Sequence, residues 1–420
     1  MIKTNCCLLS AGFSLLLISS PVPSQSQPLT KIQGTEFDQT FTVTQSSENR
    51  HFLEIVNASP EITISPASFS LKGISQPVSE QAFFRNDNNR FEFQEREIIL
   101  AHNGATSDQK WMPMRPDGNA PIGVMGDHLV AKGKWMVSYR YSFMSMDGNR
   151  DGTDNLTTDE VLNEFPVTPE DMTMEMHMFG VMYAPADNLT LMAMLPFVSK
   201  EMDHITRRNT TFTTESEGLG DLKFTGLYQL FNQNRQSVHL NLGFSVPTGS
   251  IDERDDTPAG DDVILPYPMQ IGSGTLDLRP GIAYLGQTED WSWGAQANAV
   301  LRLGENDRGY TVGNRYQLTG WAAHQLSDQF SVSLRLDGET WEDYDGADPA
   351  LNPDIIPTAD PNLRGGTRFD LGLGLNVHLP NSDFPVDRLA VEFEVPLYQS
   401  LDGPQLKTDW QLTLGIKSGL

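Results

Sequence analysis

Cysteine is almost missing from this chain: Cys6 and Cys7 are the only two in 420 residues. Both fall in the first apolar run, so the remainder carries no disulfide scaffold, no thiolate zinc site and no cysteine nucleophile. Basic residues are scarce too, 29 against 55 acidic, for a formal charge of −26. A nucleic-acid binder needs a basic face to displace counterions from phosphate, and this balance argues against one. Long hydrophobic runs are also lacking. With 38% hydrophobic residues and a mean hydropathy of −0.35, a polytopic helical membrane protein is excluded. Aromatics are plentiful, however: 21 Phe, 10 Tyr and 7 Trp are too many for a disordered chain.

Residues 1–27 read as a secretory signal. Lys3 supplies the positive start, Cys6–Ser20 an apolar core too short to span a bilayer, and Pro21–Gln27 a polar cleavage zone.

From about Lys134 onward one pattern recurs: a run alternating apolar and polar side chains, then a turn or loop. Trp135, Val137, Tyr139, Tyr141 and Phe143 share one face of the first run; Met136, Ser138, Arg140 and Ser142 share the other. A period of two puts these sets on opposite sides of a strand. Twelve such runs are predicted, at about 134–146, 172–184, 189–202, 218–232, 237–247, 271–285, 291–303, 314–326, 329–342, 367–379, 388–397 and 408–418. Links after the even-numbered runs are short, such as Pro185–Asn188 and Ser327–Asp328. Links after the odd-numbered ones are mostly long, roughly 147–171, 203–217, 248–270, 304–313 and 343–366. Short turns at one end and long loops at the other are the pattern of an outer-membrane barrel. A secreted β-sandwich also alternates, but its loops need not sort by side. The expected fold is therefore an all-β, transmembrane, antiparallel up-and-down barrel of about 12 strands over residues 134–420.

Four stretches carry a family resemblance: Ala120–Tyr141 (APIGVMGDHLVAKGKWMVSYRY), Met182–Phe197 (MYAPADNLTLMAMLPF), Gly218–Phe231 (GLGDLKFTGLYQLF) and Gly243–Gly249 (GFSVPTG). Over roughly residues 120–420 the chain resembles the bacterial outer-membrane family of transporters of the meta-pathway of phenol degradation. The resemblance implies a barrel that moves small hydrophobic compounds, and it brings no catalytic residues.

Residues 28–133 have another texture. Phe41–Thr44, Phe52–Val56 and Ile62–Leu71 suggest short strands, and Pro113–Ala120 is turn-rich. The reading is a periplasmic extension, part of which enters the barrel as a plug; a linker is the plainer alternative.

Methionine is the unusual chemical feature: 14 of 16 fall between Met112 and Met202. Those in strands are Met136, Met144, Met146, Met172, Met174, Met176, Met178, Met182, Met192, Met194 and Met202, of one parity in each strand. In runs one and three the opposite face suits lipid, so these residues are expected to line the lumen. In run two that face also holds Glu175 and His177, which places them at the outer rim or implies a register flip. Three readings follow. Met is flexible and fills irregular interiors. It also makes a soft lining for aromatic solutes, with sulfur–ring contacts of about 0.3–1.5 kcal/mol. Thioethers also select soft ions such as Cu(I) or Ag(I), for which Met182, Met192, Met194 and His177 are the candidate ligands. Same-face neighbours on one strand are about 6.7 Å apart, so convergent ligands must come from adjacent strands, such as Met182 with Met192.

Asp147–Asp154 (DGNRDGTD) suggests a weak calcium loop but lacks the acidic twelfth position of an EF-hand. Asp252–Asp262 and Glu342–Asp348 make the outer loops acidic, for solvation, cation attraction or divalent-bridged contact with lipopolysaccharide. No nucleophile motif, phosphate loop or dinucleotide fingerprint is present, so no enzyme activity is expected. The functional expectation is an outer-membrane channel for small hydrophobic compounds, aromatic ones included; the alternative is a copper- or silver-binding, efflux-associated barrel. Expected partners are the solute, outer-membrane lipid and lipopolysaccharide, and the barrel-assembly machinery.

Overall fold

The computed structural model describes residues 41–45, 51–55, 81–85, 91–95, 111–379 and 386–419. The chain divides into two units, Met1–Asn103 and Gly104–Leu420. In the first, Phe41–Gln45 pairs antiparallel with His51–Ile55, and Gln81–Arg85 with Phe91–Glu95. The expected signal and the strand at Ile62–Leu71 lie outside the described residues.

The second unit is a closed antiparallel sheet. Its strands are β1 (Trp135–Gly152), β2 (Val167–Ala186), β3 (Leu189–Thr206), β4 (Thr211–Leu219), β5 (Leu222–Gln233), β6 (Gln236–Val246), β7 (Leu276–Gln287), β8 (Trp291–Leu303), β9 (Arg315–Gln325), β10 (Phe330–Trp341), β11 (Gly366–His378) and β12 (Arg388–Gly419). Neighbours in sequence are neighbours in the sheet, and two details set the strand count. The upper half of β3 pairs with β4 and its lower half with β5, so these two make one wall broken at Gly220–Asp221. β12 pairs with β11 through residues 388–401 and with β1 through residues 401–419. It is a hairpin, closed at its foot by Asp387 N donating to Lys417 O at 3.0 Å. The barrel thus has twelve wall positions, and β12 against β1 closes it.

Its alternation is inside out relative to a soluble protein. On β10, Phe330, Val332, Leu334 and Leu336 are exposed while Ser331, Ser333, Arg335 and Asp337 are buried. Exposed Phe179, Leu191, Leu242, Leu278, Leu318, Leu373 and Phe393 continue the outer apolar belt. Closure of β12 on β1 pairs the wall strand to strand, as hydrocarbon requires.

Two loop expectations are corrected. The link at 203–217 is no loop: β3 runs to Thr206, β4 starts at Thr211, and Arg207–Thr210 makes a tight turn. Likewise β1 runs on to Gly152 and turns back through Asp154–Leu156. The acidic stretch Asp147–Asp154 therefore lies in a hairpin; Asn149 is buried, its Nδ2 donating to Pro169 O at 2.7 Å. Both segments project beyond the apolar belt, where neither face needs to be apolar and alternation fades from the sequence. A seven-residue helix, α1 (Thr158–Glu164), follows, its start capped reciprocally by Thr157 and Glu160.

The long loops knit together over that end. Rings of Tyr267 and Tyr310 lie 4.9 Å apart, and those of Tyr267 and Tyr344 5.1 Å. Arg308 bridges Asp348 and Asp252, so the acidic outer loops are partly spent on each other. Burial keeps the Tyr267 and Tyr310 phenols above their usual range.

Candidate functional site

The lumen is not empty. Residues 111–131 carry no helix or strand, and their backbone groups are met by inward side chains from walls around the barrel. Met112 N donates to Gln287 Oε1 at 3.0 Å. Ser331 Oγ and Arg388 Nη1 both donate to Pro116 O, at 2.9 and 2.8 Å. Gly123 N donates to Glu392 Oε2 at 2.6 Å. Gln296 Nε2 donates to Met125 O at 2.9 Å, and Asn241 Nδ2 to Gly126 O at 3.1 Å. Val130 N donates to Thr190 Oγ1 at 3.0 Å. A segment without regular structure can be buried only if its peptide groups find such partners, and here they come from β3, β6, β7, β8, β10 and β12. We call residues 111–131 the inner segment.

Around it the lumen has two kinds of wall. One is ionic. Arg335 of β10 donates from Nε to Glu392 Oε1 at 2.6 Å, and its Nη1 and Nη2 meet Asp337 at 2.9 Å and Glu394 at 2.5 Å. Arg368 and Asp370 of β11 pair beside them at 2.8 Å. Close approach depends on missing side chains: a Cβ on Gly123 would stand 2.3 Å from Arg335 Nη2, and one on Gly372 2.4 Å from Glu392 Oε1.

The other wall is sulfur. Pairing of β1 with β2 is unbroken from Trp135↔Tyr183 to Asp147↔Asp171, so Met172–Met182 keep one side throughout. That register aligns Met136, Met182 and Met192 in one row across three strands, and Met146, Met172 and Met202 in another nearer the loops. Met144 sits opposite Met174, and Met194 opposite Gly180. Met178, Met182, Met192 and Met194 form a buried cluster with Leu227, against which Met136 and Met176 pack. The upper row packs with Leu265 and Met269, brought down by a loop.

His177 does not join these sulfurs. Its parity is opposite to that of Met178, and it sits among outward aromatics, its Nδ1 2.7 Å from Tyr139 Oη and its ring 5.2 Å from that of Tyr141. The structure instead brings His128 to the methionines. A cavity of about 30 Å³ is lined by Met125, Met136, Met178, Met182, Met192 and Met194, with Asp127, His128, Arg140 and Lys417. Asp127 Oδ1 accepts from His128 Nδ1 at 2.8 Å and Oδ2 from Ala120 N at 2.9 Å; Lys417 Nζ is 3.8 Å away. Burial alone would push the Asp127 carboxyl up, but these charges and hydrogen bonds hold it well below the usual carboxylate range.

Sequence reasoning missed Met125, His128 and Met269. The sulfur pattern was read from strand parity, and none of the three lies in a strand. The Asp-His dipeptide beside Met125, a carboxylate able to orient an imidazole, was the signal available.

The family model described as "Putative MetA-pathway of phenol degradation" matches residues 163–387, more than half of the chain. Among solved structures, an outer membrane channel from Pseudomonas putida F1 matches with a TM-score of 0.52 at 14% identity, over 71% of this chain and 99% of that one. The TodX monoaromatic hydrocarbon channel, as its deltaS2 mutant, matches at 8% identity over 74% and 96%, with a TM-score of 0.38 too low to argue from. Comparison with curated proteins gives no match. By its family match, and with a fold shared with an outer membrane channel, this chain belongs to the outer-membrane barrel family described by the MetA pathway of phenol degradation.

Proposed function

We propose that the protein passes small hydrophobic, including aromatic, compounds across the outer membrane along its sulfur wall, with the inner segment as a displaceable plug. The observation that carries this reading is the continuity of that wall. Methionines run from Met269, Met202, Met172 and Met146 at the loop end, through Met144, Met174 and Met176, to Met178, Met182, Met192, Met194 and Met136 beside the inner segment. An apolar solute entering a polar porin lumen loses apolar contact; here it keeps a flexible, polarizable lining throughout. Members of a family described by phenol degradation would need such a route.

The test is uptake of radiolabelled toluene or phenol into cells or proteoliposomes. Saturable uptake is expected. Replacing Met146, Met172 and Met202 by Asp should abolish it, because carboxylates would interrupt the apolar path without touching the ionic wall. Uptake equal to that of protein-free vesicles would overturn the reading.

A further inference from the structure

We propose that the cavity beside the inner segment is a binding site for a monovalent soft cation, Cu(I) or Ag(I), built from Met136, Met182 and Met192 with Met125 and His128. The inference goes beyond hydrophobic passage and does not depend on it.

Convergence comes first. Thioethers two residues apart on one strand cannot share an ion, but Met136, Met182 and Met192 are direct cross-strand partners on three adjacent strands. Such partners have Cβ atoms about 4.5–5.5 Å apart. Three rotatable bonds let each sulfur swing toward a common point, and all three side chains line one small cavity with Met125, Met178 and Met194.

The imidazole comes second. His128 is 7% exposed and lines the same cavity. A carboxylate only accepts, so its contact with Asp127 Oδ1 fixes the proton on Nδ1. In the neutral ring the lone pair is then on Nε2, the nitrogen turned away from Asp127. A histidine whose far nitrogen donates to a carboxylate is the arrangement that orients and strengthens metal-binding imidazoles.

Charge decides which ion. Thioethers and a neutral imidazole bring no negative charge, and among the described residues no group of three His, Cys, Asp or Glu could hold a metal. Arg140 and Lys417 line the cavity against the single carboxylate of Asp127. A monovalent ion adds one charge and a divalent ion two. Soft sulfur and low charge both select Cu(I) and Ag(I).

The experiment titrates Ag(I) into the purified full-length chain in detergent, in competition with a chelator of known affinity. One saturable site at micromolar affinity or tighter is expected. Joint replacement Met136→Leu, Met182→Leu and Met192→Leu should weaken it at least tenfold while gel mobility remains that of a folded barrel. His177→Gln, on the outer face, should bind as the parent does. Should the triple variant fail to fold, His128→Gln serves: X-ray absorption of the Cu(I) form should lose its nitrogen scatterer and keep sulfur. Absence of saturable binding, equal affinity in the triple variant, or an unchanged Cu(I) spectrum in His128→Gln would each overturn the site. Loss of uptake with Ag(I) binding intact would count against hydrophobic passage alone.

Discussion

The sulfur wall of β1–β3 and the ionic wall of β10–β12 are alike outside, where both present apolar residues, and opposite inside. Arg335 with its three carboxylates is a fixed geometry: each charge is buried and each depends on the others. The methionines make contacts that any neighbouring rotamer can replace. The inner segment touches both walls. Gly123 is pinned to Glu392, while Met125 and Leu129 lie against side chains that can yield. Both sides of the lumen hold that segment, one by buried charge and the other through Thr190 on Val130 N and flexible apolar contacts.

Substitutions should expose this difference. Arg335→Ala leaves Asp337, Glu392 and Glu394 buried without their cation, and breaking such a group costs about 3–5 kcal/mol. Denaturant unfolding in detergent measures it; a loss no larger than that of a methionine variant would erase the contrast. Gly123→Val forces a side chain against Arg335 Nη2, where overpacking costs about 1–3 kcal/mol. Single-channel conductance should rise as the segment loses its anchor, and an unchanged trace would show that this contact holds nothing.

A third effect depends on pH. The Asp127 carboxyl is held below its ordinary value of 3.8, so its contribution is complete above that pH and falls away as pH drops below it. The unfolding midpoint of the parent should decline more steeply below about pH 4 than that of Asp127→Asn; parallel declines would place the dependence elsewhere. The smallest effect belongs to the sulfur wall itself. Met182→Leu or Met192→Leu conserves volume and should cost under about 1.5 kcal/mol. A loss near that of Arg335→Ala would mean the sulfurs are as rigid as the ions.

The barrel was legible because lipid enforces a period of two: Phe330–Asp337 or Leu189–Val198 can be sorted into faces by inspection, and the twelve predicted runs match the twelve wall positions. Legibility stopped where lipid does. The extensions of β1 and β3 beyond the belt are polar on both sides, and the supposed loop at 203–217 turned out to be strand. The site was half legible. Parity found the methionines of three strands, yet it also offered His177, which parity itself places outside. His128 and Met125 could not be found by any local period. Their segment has no period of its own, and only tertiary packing sets it against Met136, Met182 and Met192.

Consider finally when the inner segment can be seated. Pro116 is held by Arg388, 272 residues on, Asn119 by Lys417 after 298, and Gly123 by Glu392 after 269. These residues are thus gripped by residues translated much later, on the same hairpin that closes the barrel against β1. Until that hairpin arrives, those three grips do not exist. Those three grips and the seal of the wall thus depend on one hairpin, while Met112, Met125 and Val130 meet earlier strands.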